Sequence, residues 1–356
     1  MKYKVSNSKS LAHASNASFY QAMKAKGIIS VDNSAVAPAI TTPNINVVLG
    51  ALTFIRPKAI EILTAPRVAD KIARAEKNGK WGDKLVTFKL KEYTGATRPD
   101  DGLTSDGLQV KTNYEQQVRG VYYYTTGWMA TDLEEATTQG MQENYRADQA
   151  EGAMRTLAID RNDFFFRGVT EAGLVQPIYG MLNDPNLTAY STVATNVGNT
   201  STYWADKTPE EIYNDIVTAV NALYTQSNGI VEDELPNGKL KCAVATGSLG
   251  QLDRTNSFGV TARKLLKETY GDKIEFIAVP QLNSADSSSD CFYMIFDWNE
   301  GDATIVNSYV EMAKAYPIYQ KDSVVSQKLS AATSGCFVQY PWAIVRYNGI
   351  GQTTAH

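Results

Sequence analysis

The sequence is poor in histidine, with only His13 and His356 among its 356 residues. One lies in a polar N-terminal segment and the other is the last residue. Histidine is the usual general base for serine and cysteine nucleophiles. The sequence therefore offers almost no material for a catalytic triad.

Cysteine is equally scarce. Cys242, Cys291 and Cys336 are odd in number, far apart and not arranged in a CxxC pair. This spacing indicates neither a disulfide framework nor a zinc site. We interpret the three side chains as small buried hydrophobic groups.

Strong net charge and long apolar runs are also missing. Lysine and arginine number 34 against 38 aspartates and glutamates, which gives a net charge of -4. Tight nucleic-acid binding needs a concentrated basic surface, so any contact with nucleic acid should be local and weak. No apolar run reaches the roughly 18 residues of a transmembrane helix, and residues 1–10 lack the apolar core of a signal peptide. We expect no membrane contact and a protein that is made and used in a cytosol.

One stretch, Gly247–Gly250, suggests a phosphate loop or a nucleophile. It follows a predicted strand, Lys241–Thr246, but lacks the lysine of a P-loop and the third glycine of a dinucleotide fingerprint. A nucleophile elbow at Ser248 would need glycine two positions earlier, where Thr246 stands. We therefore interpret the stretch as a strand-to-helix turn. No carboxylate pair stands out as acid and base, so we expect no catalytic residue and no cofactor.

The most prominent feature that is present is a long helical pattern, Thr131–Gly168. Thr131 and Glu134 fit a capping box, and the glycine that closes the run is a typical stop signal. At about 1.5 Å per residue, its roughly 37 residues would span about 55 Å, more than a compact domain needs. Glycine inside a helix costs about 1 kcal/mol, so Gly140 and Gly152 suggest that another backbone comes close there. We predict one uninterrupted helix that serves as a long rigid support for the rest of the subunit.

Two extended runs precede this helix. Apolar and polar residues alternate in Lys84–Tyr93, which is the period of a half-exposed strand. Leu108–Thr126 returns after a cluster of turn formers at 95–107. We predict a long hairpin with a polar tip. Two strands alone are only marginally stable in water, so the hairpin needs a partner.

The hairpin tip carries Asp100, Asp101 and Asp106. Carboxylates are calcium ligands, but the segment lacks the alternating ligand pattern and the closing glutamate of a calcium loop. We favour acidic turn residues over a metal site and expect no metal. Such a tip could equally pair with arginine or lysine of a neighbouring molecule.

The second half of the chain predicts a compact α/β lobe. Thr208 and Glu211 form a capping box at the start of a clear helix. Short apolar strands at Lys241–Thr246, Ile274–Val279 and Phe292–Asp297 alternate with helical segments.

The two ends of the chain differ in character. Residues 1–50 are polar and can bury little, so they form either a tail or an arm that is ordered by lying on something else. The C-terminal part returns to extended runs at Ala303–Tyr309, Tyr316–Val325 and Cys336–Tyr347. Aromatic and β-branched residues are concentrated in the last of these, which predicts core strands packed against the long helix.

This order of parts resembles that of the major capsid proteins of tailed bacteriophages, which share the Hong Kong 97 phage fold with bacterial encapsulin shells. The resemblance covers nearly the whole chain from about Leu52 onward. It is most specific in Lys80–Asp83 before the hairpin, in Asp163–Gly168 followed by Gly180–Asp184, and in Gln339–Ile350.

The resemblance implies an α+β protein with the Hong Kong 97 phage-type capsid fold. Its parts in chain order are an N-terminal arm (1–50), the first helices of the peripheral P-domain (51–82), the E-loop hairpin (83–126), a P-domain section that holds the spine helix 131–168 (127–185), the α/β A-domain (186–299) and the C-terminal strands of the P-domain (300–356).

The resemblance also implies a structural protein of the virion rather than an enzyme. Many copies would assemble in the host cytoplasm as hexamers and pentamers of an icosahedral head, around double-stranded DNA that they contact non-specifically. A portal is an expected partner, and so is a separate scaffolding protein, because no long helical scaffolding segment precedes the arm. The resemblance allows for a decoration protein as well.

The hairpin supplies the candidate contacts between subunits. These residues are Lys89, Lys91, Arg98, Asp100, Asp101, Asp106, Lys111 and Tyr114. Some relatives form an isopeptide link between a hairpin lysine and a distant asparagine. Nothing in the context of Lys84, Lys89, Lys91 or Lys111 marks one of them as reactive.

Two alternatives stay open at this point. An encapsulin-like container of the same fold would enclose enzymes, and a neighbouring cargo gene rather than a terminase or portal gene would indicate it. A cytosolic α/β enzyme that uses carboxylates would need a deep pocket lined by Asp or Glu with shifted pKa values.

Overall fold

The structure is a computed structural model that describes residues 67–97, 109–139, 144–170, 174, 176–198, 200–286, 288–298, 301 and 303–352. The predicted arm, the first half of the segment 51–82 and most of the hairpin tip lie outside the described residues. Within them the helices are α1 (Ala69–Ile72), α2 (Asp132–Gln139), α3 (Tyr145–Arg167), α4 (Pro209–Gln226), α5 (Ile230–Glu234), α6 (Thr246–Leu249) and α7 (Ala262–Tyr270).

The strands fall into three sheets. Their bounds are β1 (Arg74–Lys77), β2 (Leu85–Thr94), β3 (Lys111–Gly120), β4 (Tyr122–Thr131), β5 (Ser191–Thr192), β6 (Gly238–Ala245), β7 (Ile274–Val279), β8 (Cys291–Trp298), β9 (Ile305–Ala315), β10 (Tyr319–Lys321), β11 (Val324–Val338) and β12 (Ile344–Asn348). Sheet 1 has the order β1-β9-β11-β10 with β4 also paired to β11, sheet 2 has the order β5-β12-β8-β6-β7, and the hairpin β2-β3 stands apart.

Sheet 1 is built around the 15-residue strand β11. β4 pairs along one edge of β11, from Val324↔Thr131 to Thr333↔Tyr122. β10 and then β9 occupy the opposite edge, and β1 adds to β9 in parallel. The helix α3 covers one face, where Ala153 and Leu157 join a buried cluster with residues of β4 and β11.

The long helical segment is divided rather than continuous, so the prediction of one uninterrupted helix was wrong. α2 ends at Gln139, and Asn144 has non-helical angles of φ -97° and ψ 86°. The Asn144 side chain accepts a hydrogen bond from the Ala147 N–H, which begins α3 as a new helix. The 23 residues of α3 span about 35 Å.

The predicted signals at the two ends of this segment are confirmed. Thr131 and Glu134 make the reciprocal bonds of a capping box, at 3.0 Å and 3.3 Å. Gly168 ends α3 with φ 71°, and its N–H donates to the Phe164 carbonyl oxygen. A side chain could not replace this glycine, because a Cβ there would lie 2.3 Å from the Ile178 carbonyl oxygen.

Sheet 2 forms the centre of the α/β part. β6 and β7 are parallel, while β8 is antiparallel to β6 and β12. The capping box of α4 is confirmed, with Thr208 as N-cap, Pro209 at the first position and Glu211 closing the box. The buried core of this part includes Phe292 and Phe296 and continues to Phe165 and Phe166 at the end of α3.

The C-terminal segment contributes to both sheets. β11 ends at Val338 in sheet 1, and β12 pairs with β8 in sheet 2. Between them Pro341 opens a short 3-10 turn, since proline cannot donate to a strand ladder. The predicted extended run Cys336–Tyr347 is therefore divided between the end of β11 and β12. The domain boundaries as a whole stay a prediction.

The hairpin is regular over ten consecutive pairs, from Leu85↔Gly120 to Thr94↔Lys111. Its return strand is shorter than predicted, because β3 ends at Gly120 and the chain then enters sheet 1 as β4. A Cβ on Gly120 would lie 2.4 Å from the Gln176 carbonyl oxygen, so the backbone at this junction is tightly packed.

The predicted burial of the cysteines is confirmed. Cys242, Cys291 and Cys336 are free and fully buried. Burial raises the pKa of all three thiols, to about 12 for Cys291, so they stay protonated and behave as apolar groups. Across the part of the chain that the structure describes, no helix is long and apolar enough to cross a membrane.

Candidate assembly surface

The base of the hairpin is fixed to sheet 1 by apolar packing. Val86 belongs to a buried cluster with Val121, Val310 and Ala332. Phe88 stacks on Phe337 of β11, with ring centroids 3.6 Å apart and 10° between the ring planes. Aromatic pairs of this kind contribute about 0.5–1.5 kcal/mol beyond the area that they bury. The first part of β2 is therefore anchored.

A buried ion pair fixes the return strand. Arg119 Nη2 lies 2.8 Å from Asp184 Oδ2, and the two side chains are 6% and 0% exposed. The guanidinium also lies over the Tyr179 ring, 4.8 Å from its centroid. Asp184 Oδ1 accepts a hydrogen bond from the Asn186 N–H at 2.9 Å. Because one partner without the other would leave a buried charge, this pair holds β3 in one position.

The turn Lys80–Asp83, one of the stretches that carried the resemblance, sets the entry into the hairpin. The Tyr123 hydroxyl donates to the Asp83 carbonyl oxygen at 2.8 Å and accepts from the Gly82 N–H at 2.9 Å. The Trp81 ring meets the Tyr123 ring edge to face, with centroids 5.1 Å apart. The turn and β4 are thus joined by side-chain contacts.

The outer half of the hairpin carries both of its tyrosines on one face. Cross-strand partners share a face, and side chains alternate along each strand. Lys91 is opposite Tyr114, so these residues, together with Lys89 and Tyr93, lie on the same face. Tyr93 and Tyr114 are 66% and 68% exposed. We call this the tyrosine face; it comprises Leu85, Thr87, Lys89, Lys91, Tyr93, Thr112, Tyr114, Gln116 and Val118.

Beyond Phe88 the other face of the hairpin carries the half-buried Leu90 and then only polar residues. These are Glu92, Thr94, Lys111, Asn113 and Glu115, all of them exposed. The tyrosine face is set apart by its two exposed tyrosines, a residue type that is enriched in protein interfaces.

The structure brings together three of the predicted contact residues. Lys89, Lys91 and Tyr114 lie on the tyrosine face, and the Lys91 ammonium sits 4.5 Å from the centroid of the Tyr93 ring. Lys111 is on the opposite face, paired with Thr94. The other four, Arg98, Asp100, Asp101 and Asp106, lie outside the described residues. Their contact with a second subunit stays a prediction.

A second exposed cluster was not found from the sequence. On the face of sheet 1 away from α3, the Lys314 ammonium lies 4.6 Å from the Trp81 ring centroid and 5.6 Å from that of Tyr316. The Lys328 ammonium lies 5.6 Å from the same Tyr316 centroid. We call Trp81, Lys314, Tyr316 and Lys328 the cation–aromatic cluster. Each such contact contributes about 0.5–1 kcal/mol at an exposed site, and it orients the ammonium.

The stretch Gly247–Gly250 has the predicted role of a strand-to-helix turn, since α6 begins directly after β6. Ser248 donates to the buried Asp290 carboxylate at 3.0 Å. No group of three or more possible metal ligands occurs among the residues that the structure describes.

Sequence and structure comparisons identify similar proteins. A family model for the Pa193 gp26 major capsid protein matches residues 38–349. None of the curated proteins is similar enough in sequence to match the chain.

Three solved structures show the fold. The capsid of Myoviridae phage XM1 is 12% identical, with 85% of this chain and 98% of that chain covered and a TM-score of 0.66. A chain from Mycobacterium phage Bobi is 7% identical, with 91% and 100% covered and a TM-score of 0.53. A chain from Gordonia phage Cozz is 12% identical, with 91% and 99% covered and a TM-score of 0.52. The fold is the Hong Kong 97 type of phage capsids.

Proposed function

The chain belongs to the family of the Pa193 gp26 major capsid protein and is a major capsid protein of tailed phages; from this premise we propose how it assembles. Its copies form the virion shell as hexamers and pentamers of an icosahedral head that encloses double-stranded DNA. Assembly takes place in the host cytoplasm. The hairpin of each copy lies across a neighbouring copy.

The uncovered outer half of the hairpin is the observation that supports this proposal. The ten-pair ribbon is anchored at its base, while Lys91–Thr97 and Gln109–Gln116 are exposed in the subunit. A two-stranded ribbon with exposed tyrosines gains stability when its tyrosine face is covered. Each subunit of a shell has neighbouring copies, so a neighbouring copy can cover the tyrosine face of every subunit.

The contact residues have distinct places in this arrangement. Lys89, Lys91 and Tyr114 meet the neighbour through the tyrosine face, because they share that face. Lys111 faces the other way and contacts a different part of the shell. Arg98, Asp100, Asp101 and Asp106 act through charge at the tip.

Other head proteins are further partners of a capsid subunit. We propose that the subunits contact a portal, a separate scaffolding protein and, where the mature shell carries one, a decoration protein. The net charge of -4 suits non-specific contact with packaged DNA rather than tight binding.

The family membership decides between the alternatives. The matching family is one of structural capsid proteins, which leaves no role for a carboxylate enzyme. It also favours a phage head over an encapsulin-like container.

The test replaces Thr97–Gly107 in the full chain with a Gly/Ser linker of the same length. The monomer should fold as before, by circular dichroism and thermal melting, because the described anchors of the hairpin are untouched. Electron microscopy and sedimentation should show few or no shells. A control carries Lys264→Glu, a change at an exposed lysine of α7. Normal shells from the linker variant would rule out the proposed role of the hairpin.

A further inference from the structure

We propose that the cation–aromatic cluster of one subunit receives the acidic hairpin tip of a second copy. The inference rests on the proposed function, in which the hairpin lies on a neighbour, and it names the site where the tip binds. The ligand is a short peptide segment that carries several aspartates.

The cluster holds two ammonium groups against aromatic rings. Lys314 lies between the rings of Trp81 and Tyr316, and the Lys328 ammonium contacts the same Tyr316 ring. Trp81 is itself held by Tyr123, whose hydroxyl is bonded to the Lys80–Asp83 turn. Oriented charges lose less conformational entropy when a ligand binds, so the cluster is prepared for an anion.

Among the residues that the structure describes, the two ammonium groups have no carboxylate partner. Some other lysines are paired, such as Lys77 with Glu311 and Lys241 with Asp297. Lys314 and Lys328 form no ion pair with any carboxylate that the structure describes. Lys328 is exposed and Lys314 is half-buried, so both can be reached from solvent. An anionic partner is missing from the described part of the subunit itself.

The hairpin tip has the matching charge. Between the last paired residues, Thr94 and Lys111, the sequence contains Asp100, Asp101 and Asp106 against the single Arg98. One positive and three negative side chains give this segment a net charge of -2. Every copy of the chain carries one such segment, so tip and cluster occur in equal number.

The described strands of the hairpin run away from the cluster of their own subunit. Val86 packs in one cluster with Ala332, and Phe88, two residues on, stacks on Phe337. β2 therefore runs toward the later residues of β11. Lys328 lies in the opposite direction, nine residues before Phe337 on the same strand.

Chain length argues against a return of the aspartates to their own cluster. At strand spacing the residues Phe88 to Thr94 extend the hairpin by about 20 Å, and the nine residues between Phe337 and Lys328 cover about 30 Å of β11 the other way. Asp101 is seven residues beyond Thr94 and reaches at most about 24 Å from it. We therefore place the aspartates on the cluster of another copy.

Packaged DNA is the competing anion. Binding to a phosphate backbone draws on many basic groups along a surface, whereas the cluster offers two. A short segment with three aspartates matches two ammonium groups better than a phosphate backbone does. The test below includes an outcome that would indicate DNA binding instead.

The experiment uses charge reversal in the full chain. Lys314→Glu with Lys328→Glu should reduce shell yield by about tenfold or more, and so should Asp100→Lys with Asp101→Lys, because each places like charges together. All four changes in one chain restore opposite charges and should recover most of the yield. Lys264→Glu serves as the control, since Lys264 is exposed on α7 and 4.0 Å from Glu268.

Folding of each variant is checked by circular dichroism. The tip changes lie outside the anchored body, so they test the proposal even where the lysine changes reduce monomer stability. For that case Lys314→Gln with Lys328→Gln provides a milder variant, and its yield should fall less than that of the double glutamate.

The outcomes separate this inference from the proposed function. Recovery of yield in the fourfold variant supports it. Normal shells from both double variants would overturn it, and so would a fourfold variant no better than either double. A lysine variant that assembles normally but retains less DNA would assign the cluster to nucleic acid. If the linker variant of the tip also assembled normally, the proposed function itself would fail.

Discussion

Phe88 of the hairpin lies flat on Phe337 of sheet 1, with centroids 3.6 Å apart. We predict that Phe88→Ala loosens the hairpin while both larger sheets stay folded. Amide hydrogen exchange in β2 and β3 should become about tenfold faster, since the stack contributes about 0.5–1.5 kcal/mol besides the buried area. Tyr93→Ala, at a position 66% exposed, should leave the exchange unchanged. Unchanged exchange in Phe88→Ala would mean that other contacts hold the ribbon.

Removing one partner of the Arg119–Asp184 pair should lower the free energy of unfolding strongly, whereas replacing both partners with apolar residues should lower it little. Arg119→Met leaves the buried Asp184 carboxylate without its partner, and we expect a loss of about 3–5 kcal/mol in the free energy of unfolding. Arg119→Met combined with Asp184→Leu should recover most of that loss, because no buried charge remains. Urea titrations of the single and double variants measure both values. A double variant as unstable as the single one would contradict this account.

Two glycines of the same helical segment should respond in opposite ways to alanine. A Cβ on Gly152 would meet no described atom beyond its own helix within 4 Å, so Gly152→Ala should stabilise the monomer by about 1 kcal/mol. Gly168→Ala should destabilise it, because φ is +71° and the Cβ would lie 2.3 Å from the Ile178 carbonyl oxygen. Thermal unfolding of the two variants makes the comparison.

The same Gly152→Ala variant tests an expectation from the sequence. We expected a backbone close to Gly140 and Gly152; Gly140 lies outside the described residues, and the described part of the subunit places no other backbone within 4 Å of Gly152. If a neighbouring copy packs there, Gly152→Ala should reduce shell yield although the monomer is more stable. Equal yields from variant and wild type would show that the position is open in the shell as well.

The capping box of α4 should stabilise the fold less at acidic pH than at neutral pH. The Thr208 N–H donates to Glu211 at 2.7 Å and holds the pKa of this carboxyl below its ordinary value of 4.5, with a further contribution from the Val197 N–H. A lowered pKa stabilises the fold above pH 4.5, and this stabilisation is lost as the pH falls through the pKa of the folded state.

Glu211→Gln tests this pH dependence. Wild type should melt at a higher temperature than the variant at pH 7, and the difference should shrink as the pH falls below 4.5. Glu92→Gln, an exposed change on the hairpin, gives the background for losing one carboxylate. A difference in melting temperature that stays constant down to about pH 3 would contradict the prediction.

Local signals in the sequence predicted local structure well. Thr131 with Glu134 and Thr208 with Glu211 form the expected capping boxes, because each box depends on residues three apart. The alternation in Lys84–Tyr93 likewise predicted β2, since side-chain period follows from the strand itself.

Features that depend on distant residues were missed. Asn144 interrupts the long helix through its own cap, yet in sequence it resembles any polar residue on a helix surface. Arg119 and Asp184 are 65 residues apart, and nothing in the sequence around either identifies the other. Lys314 meets Trp81 only because β9 passes the turn before the hairpin. Contacts of this kind depend on which strands lie beside each other in the fold, and one sequence alone does not specify this.

The strand Ile344–Asn348 occupies an inner position of sheet 2, between β5 and β8. Its two neighbours are synthesised earlier, but neither can pair on that side until residue 348 has been made. Sheet 2 therefore cannot be completed before residue 348 has been made, and a chain that is cut before Ile344 lacks the strand that joins β5 to β8.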